Sequence, residues 1–185
     1  MILALFRQKA ASANARIVNT TFETIVAAGR QPVLYANWGV PDTPLGRYES
    51  LSLHLILFLH RTREASENVK ALEQDVVDEF FKDIDHSVRE LGVGDAGVPK
   101  RMKKLGKMFY GRMGPYWEAI DDNDEASLED AITRNIMPEG SKPTAPIDGK
   151  ALARYMMKSA EHLATLSDET LLNGQLSFLD AEEGQ

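Results

Sequence analysis

The chain has 185 residues, 43% hydrophobic and 26% charged, which suits one globular domain, or one with a small appendage, that buries a real core. Its net charge of −7 gives no global reason to expect nucleic acid or anionic lipid as a partner. It has no cysteine, which excludes disulfides, thiolate metal sites and a cysteine nucleophile and fits a reducing compartment.

In chain order, the longest unbroken apolar run is Met1–Phe6. It is far short of the roughly 20 residues a spanning helix needs, and no basic region precedes it as in a secretory signal. Arg7, Lys9, Ser12 and Arg16 precede the first acid, Glu23, as in a transit peptide. However, the helical pattern from about Ser12 runs straight into the body, which argues against a removable leader. Ile2, Leu3, Leu5 and Phe6, followed by Arg7 and Lys9, have the make-up either of a short interfacial anchor or of a segment packed on the domain.

Ile17, Phe22, Ile25 and Val26 form a helical stripe closed by Gly29 and Pro32. Pro32–Pro44 reads as an ordered loop carrying Leu34, Tyr35 and Trp38. The next helix, about Leu45–Arg63, is so apolar in its middle that burial on most sides is expected. Another, about Glu67–Leu91, turns Val69, Leu72, Val76, Val77, Phe80, Ile84, Val88 and Leu91 inward and ends at Gly92, a left-handed cap. Pro99 opens a helix with Met102, Leu105, Phe109, Met113, Tyr116 and Ile120 on one face, which Gly114-Pro115 is expected to kink.

A shorter helix covers about Ser127–Met137, with Ser127 and Asp130 as its capping pair. The proline- and glycine-rich stretch 138–149 reads as a flexible connector, and a last amphipathic helix spans about Lys150–Leu166 with Leu152, Tyr155, Met156 and Leu163 inward. The expected fold is all-α: one domain over residues 1–175, with six to seven helices in an orthogonal or bundle-like arrangement, then an acidic disordered tail over 176–185.

Several motifs fail on context. Gly92-Val93-Gly94-Asp95-Ala96-Gly97 spells a dinucleotide fingerprint but follows a helix where that motif needs a strand, so a tight helix–helix turn is expected. His54 and His60 are six residues apart, on different helix faces, and Asp83-x-x-His86 is half of a di-iron motif with no second half. Surface or capping histidines, and no metal or other cofactor, are therefore expected. Asp121–Ile132 resembles a calcium loop but has Ala126 and Ile132 where glycine and glutamate are required. No nucleophile elbow or zinc-protease motif is present, and Asp83, Asp85 and Glu90 suit solvated or salt-bridged positions, so no enzyme is indicated.

Charge is uneven. Residues 92–117 hold six bases against one acid, Asp95. Lys100, Arg101, Lys103, Lys104 and Lys107 mark either the solvated face of an ordinary amphipathic helix or an electrostatic docking surface. As a DNA reader the segment is poor, since no asparagine or glutamine lies beside the bases.

The stretches Phe80–Asp95, Val98–Lys104 and Phe109–Arg112 are similar to the signature of the ubiquinol–cytochrome c chaperone family. Arg30–Pro32, Tyr35, Gly39–Thr43, Gly46–Glu49 and Leu53–Leu55 also resemble that family. The likeness covers roughly residues 1–135 well and the last helix loosely. It implies an all-helical, non-enzymatic assembly factor that binds newly made cytochrome b, supports its haem acquisition and promotes its assembly into respiratory complex III. Mitochondrial relatives carry a long N-terminal extension, work with a small helper protein and sit near the ribosomal tunnel exit. This chain resembles the compact bacterial form, which implies a place in the cytoplasm beside the inner membrane, or on the matrix side if the source is eukaryotic.

On that reading, the client-binding apolar residues are Phe80, Phe81, Met102, Met108, Phe109, Tyr110, Tyr116 and Trp117, with Tyr35 and Trp38 as a second group. Methionine-rich surfaces suit adaptable binding. Lys100, Arg101, Lys103, Lys104 and Lys107 would supply electrostatic docking, with an anionic membrane surface as a further partner and no DNA. The competing reading is a helical adaptor that binds anionic lipid or nucleic acid through the basic helix 99–113.

Overall fold

In the computed structural model, residues 2–136 and 146–181 are described, with side chains from Asn14 onward. Among them are eight α-helices and no strand: α1 (Ile2–Gly29), α2 (Pro32–Ala36), α3 (Pro44–Thr62), α4 (Glu67–Glu90), α5 (Val98–Asp121), α6 (Glu125–Ile136), α7 (Gly149–Ala164) and α8 (Asp168–Leu172). The all-α class is as expected. The two helices beyond the periodic ones, α2 and α8, are five residues each, too short to show a repeat. The lipid-anchor reading of Ile2–Lys9 lies outside the described side chains, and most of the 138–149 connector lies outside the described residues.

Helix α3 is the axis of the core. Thr43 caps it by accepting from Gly46 N–H at 3.1 Å, Pro44 occupies its first turn, and Leu55, Ile56, Leu57, Phe58 and Leu59 are all 5% exposed or less. A run buried on every side needs neighbours on every side, and α1, α4, α5, α6 and α7 all pack on α3. Each such side chain contributes about 1.5–3 kcal/mol on burial, so this short run anchors the domain. Where α1 meets α3, the Gly29 carbonyl accepts from Ser50 Oγ at 2.8 Å and from Tyr35 Oη at 2.6 Å.

The α4–α5 turn is the tight connection expected of its glycines, with Gly92 at φ +79°. Pro115 lies inside α5, which continues through it to Asp121. At α6 the capping residue is Asp124, which accepts from Ser127 N–H at 3.0 Å; Ser127, expected as the cap, is its donor. Asn123, at φ +54°, makes the reversal that places Asp124 there.

The expected tail is also corrected over its first half. Leu176 is 6% exposed and Ala181 is fully buried. Gln31 holds this segment: its Nε2 donates to Leu179 O at 3.3 Å, and its Oε1 accepts from Ala181 N at 2.7 Å. The remainder, 182–185, lies outside the described residues.

Candidate functional site

Two adjoining clefts share Pro44, Tyr48, Ile84, Ser87 and Leu91. One, about 530 Å³, lies between the end of α1 (Val26, Arg30), the start of α3 (Arg47, Leu51) and the end of α4 (Asp83, Glu90). The other, about 230 Å³, extends it toward α5 through Leu45, Val88, Leu105 and Met108, with Arg101 and Lys104 at its rim. Together they form one groove with apolar walls and charges of both signs along its edges.

Local sequence explains this shape. A Cβ on Gly46 would overlap the Pro41 carbonyl, so glycine lets the 39–43 loop fold down onto the first turn of α3. Tyr48, one turn further, is buried and donates to Leu105 O at 2.7 Å, which ties α3 to α5 beneath the groove. Burial pushes the Tyr48 phenol up to about 12, so the groove floor is neutral. At the rim, Arg47 pairs with Asp42 at 2.7 Å and Glu90 with His86 at 3.2 Å, both solvent-exposed.

The structure divides the residues expected to bind a client. Phe80, Phe109 and Tyr116 are fully buried and Trp38 is 2% exposed, so all four are core. Phe80 packs on Phe109 and Trp38 on Tyr155 at centroid distances of 5.2 and 5.6 Å, and the Tyr116 hydroxyl accepts from Asn135 Nδ2 at 3.1 Å. Tyr35, Phe81, Met102, Met108 and Trp117 are half-buried, and of these Met108 lines the groove. Trp117 is held by its Nε1–H to Ile56 O at 3.2 Å. Tyr110 is 58% exposed and stacks on Phe81, away from the groove. Lys100, Arg101, Lys103, Lys104 and Lys107 are all exposed.

Two buried polar sets lie in the core. Arg112 belongs to the basic run by sequence, yet its side chain is 8% exposed and pairs with Glu49 (3% exposed) at 2.7 Å. Burial raises the Glu49 carboxyl to about 7, against the pull of Arg112. His54, expected at the surface or at a cap, is likewise buried. Its Nδ1 lies 2.7 Å from Ser50 O, which only a donor can satisfy, so Nε2 is bare and accepts from Tyr155 Oη at 3.0 Å. Burial lowers His54 to about 4, which keeps this tautomer neutral.

The other histidines do sit at the surface or at helix ends. His86 is exposed, His60 bonds Asp121 at 3.0 Å and His162 bonds Ser177 Oγ at 3.0 Å. Asp121, the first residue of the calcium-like run, is occupied by Arg63 and His60.

Residues 36–178 match the family described as ubiquinol-cytochrome C chaperone. The match takes in the last helices, which the quoted stretches resemble only loosely, and begins just after Tyr35. The crystal structure of the Cbp3 homolog from Brucella abortus is similar at 51% identity over 99% of this chain and 99% of that chain, with a TM-score of 0.86. No curated protein matches the chain.

Proposed function

The chain belongs to the ubiquinol–cytochrome c chaperone family, and from that we propose that it binds newly made cytochrome b, holds it while haem is acquired, and releases it into the ubiquinol–cytochrome c reductase complex. One observation carries this reading: the stretches of sequence that resemble the family converge on one groove. Arg30, Asp42-Thr43, Arg47-Tyr48, Asp83-Ile84, Ser87-Val88, Glu90-Leu91, and Arg101 with Lys104 come from separate parts of the chain and line it together.

The groove suits holding better than chemistry. No histidine lines it, and its Tyr48 hydroxyl is spent on a backbone carbonyl. Its walls are apolar, as a segment destined for a membrane requires, and its charged edges favour an entering chain of mixed polarity. Two or three apolar client side chains at about 1.5–3 kcal/mol each are of the same order as the cost of association, which favours the transient grip a releasing chaperone needs. Among the described residues no helix is long and apolar enough to cross a membrane. The proposed workplace is therefore beside the membrane that receives cytochrome b: the cytoplasmic face in a bacterium, or the matrix face in a mitochondrion.

The test is site-specific photocrosslinking during cytochrome b synthesis in native membranes, with the probe at Leu91, Met108, Tyr110 or Asn173. Crosslinks to cytochrome b from Leu91 and Met108 are expected, with none from Asn173 at the far end of α8. Crosslinks from Tyr110 alone would move the site to the Phe81–Tyr110 flank, and crosslinks from none of the four would overturn the reading.

A further inference from the structure

Several basic side chains of this acidic molecule are already matched. Arg47, Arg61, Arg63, Lys70, Lys82, Arg89, Arg112 and Arg154 each have a carboxylate partner. On α5, five neighbouring cations are left unmatched. Among the described residues, Lys100, Arg101, Lys103, Lys104 and Lys107 make no ion pair and no side-chain hydrogen bond. No acid occurs between Val98 and Trp117 to neutralise them.

Their placement is as specific as their lack of partners. At about 100° per residue, the four lysines fall within an arc of roughly 100° on α5, opposite the buried Phe109 and Tyr116. The arc is about 10 Å long. The two exposed large hydrophobic residues among those described, Leu91 (54%) and Tyr110 (58%), bracket it. Leu91 shares the groove with Arg101 and Lys104 on one flank, while Tyr110 extends the other flank one turn beyond Lys107.

From this we infer that the outer stripe of α5 docks the chain on an anionic bilayer surface, with the four lysines and Arg101 against lipid phosphates and Leu91 and Tyr110 at headgroup level. The flanks favour lipid over the other extended polyanion, RNA. An exposed leucine has no place against a hydrated ribose-phosphate backbone but gains on entering the bilayer interface, and tyrosine suits that depth, with an apolar ring and a polar tip. A single tyrosine also offers no platform for stacking successive bases. With no acid between Val98 and Trp117, the stripe is locally cationic over the roughly 8 Å in which charge acts at physiological salt. Because Arg101 and Lys104 belong both to the stripe and to the groove rim, docking would set the groove mouth against the membrane.

This goes beyond client binding, and its test contains no cytochrome b, so the two can fail separately. Full-length protein is sedimented with phosphatidylcholine vesicles, with and without phosphatidylglycerol. Every sample keeps residues 1–13, so any lipid contact they make is common to all. Binding is expected only to the anionic vesicles, falling steeply with salt. Each lysine near such a surface is worth about fivefold in partitioning, so K100Q/K103Q/K104Q/K107Q should bind several hundredfold more weakly, with an unchanged melting curve. R16Q/R134Q/K150Q, which removes exposed cations elsewhere, should bind about as well as the parent, and L91S should bind more weakly at equal charge. Equal binding to neutral vesicles, equal loss from both charge variants, or binding of mixed-sequence duplex RNA without binding of anionic vesicles would each overturn the proposal.

Discussion

The Glu49–Arg112 pair makes a demanding test of how this fold is held. Both side chains are buried, 3% and 8% exposed, and Arg112 Nη2 lies 2.7 Å from Glu49 Oε1. Arg112 Nε has no partner, so the pair carries the desolvation cost of an incompletely bonded guanidinium. Removing one partner is therefore far worse than removing both. R112M leaves a carboxyl buried without its cation and should cost about 3–5 kcal/mol at neutral pH, whereas E49L/R112M removes both desolvated charges and should recover most of that.

The pH dependence gives a second handle. With Arg112 present the Glu49 carboxyl stands at about 7; without that cation it rises further, so above pH 7 the folded variant keeps a proton that the unfolded chain has released. Stability of R112M relative to the parent must then fall as pH rises above 7, by about 1.4 kcal/mol per unit until the raised carboxyl titrates. Urea unfolding at neutral pH and one unit higher measures both quantities. Removing Arg47, whose pairing with Asp42 is fully exposed, is the control and should change nothing measurable. A cost for R112M no larger than that of the control, or a double variant as unstable as the two singles summed, would refute the reasoning.

His54 and Glu49 pull stability in opposite directions over nearly the same pH range. The histidine, lowered to about 4, contributes stability that is lost as pH falls from about 6.5 toward 4, about 3 kcal/mol in all. The carboxyl, raised to about 7, contributes stability that is lost as pH rises from about 4.5 to 7. The parent should therefore show a nearly flat profile between about pH 4.5 and 6.5, and H54Q should show a falling one; urea titrations across that range decide it. Q31A removes the hydrogen bonds to Leu179 and Ala181 and should cost about 1–3 kcal/mol, with hydrogen exchange accelerating chiefly over residues 176–181.

What the sequence discloses depends on how long a pattern runs. α4 and α5 repeat their apolar positions over 24 residues each, and their boundaries fall within a residue or two of those read from periodicity and caps. α2 and α8 have only five residues each, and the packed part of 176–181 offers only Leu176, Phe178 and Leu179, without a repeat, beside an acidic end that dominates any local average. Two site-level misses were avoidable. Arg112 is a basic residue in a basic run, but at 100° per residue it falls within about 40° of both Leu105 and Tyr116, on the buried face. His54 sits inside the run Leu53–Leu59, which was itself read as buried. The groove was not legible from any one helix. It exists only because Gly46 lets the 39–43 loop close on α3 while Gly92 turns α5 back beside the end of α4, and both are tertiary outcomes of single residues.

The same arrangement explains how an acidic molecule can approach an anionic surface in a defined orientation. The window 92–117 carries +5 in a chain whose net charge is −7, so the rest of the sequence is strongly acidic. At the range of a Debye length the stripe is attracted while the acidic remainder is on balance repelled, which favours turning α5 toward the surface before contact forms. Arg112 does not take part, since its charge is buried against Glu49 on the far side of the helix. Its role is to fix that side of α5 to α3, with Tyr48 making a second tie one helical turn before Phe109. The helix that meets the surface is thus anchored by a charge pair and a phenol to the most buried helix of the core. An orientation set at the lipid headgroups is passed to the groove walls as a rigid body, because Leu105 and Met108 of the groove belong to the same helix as the lysines outside it.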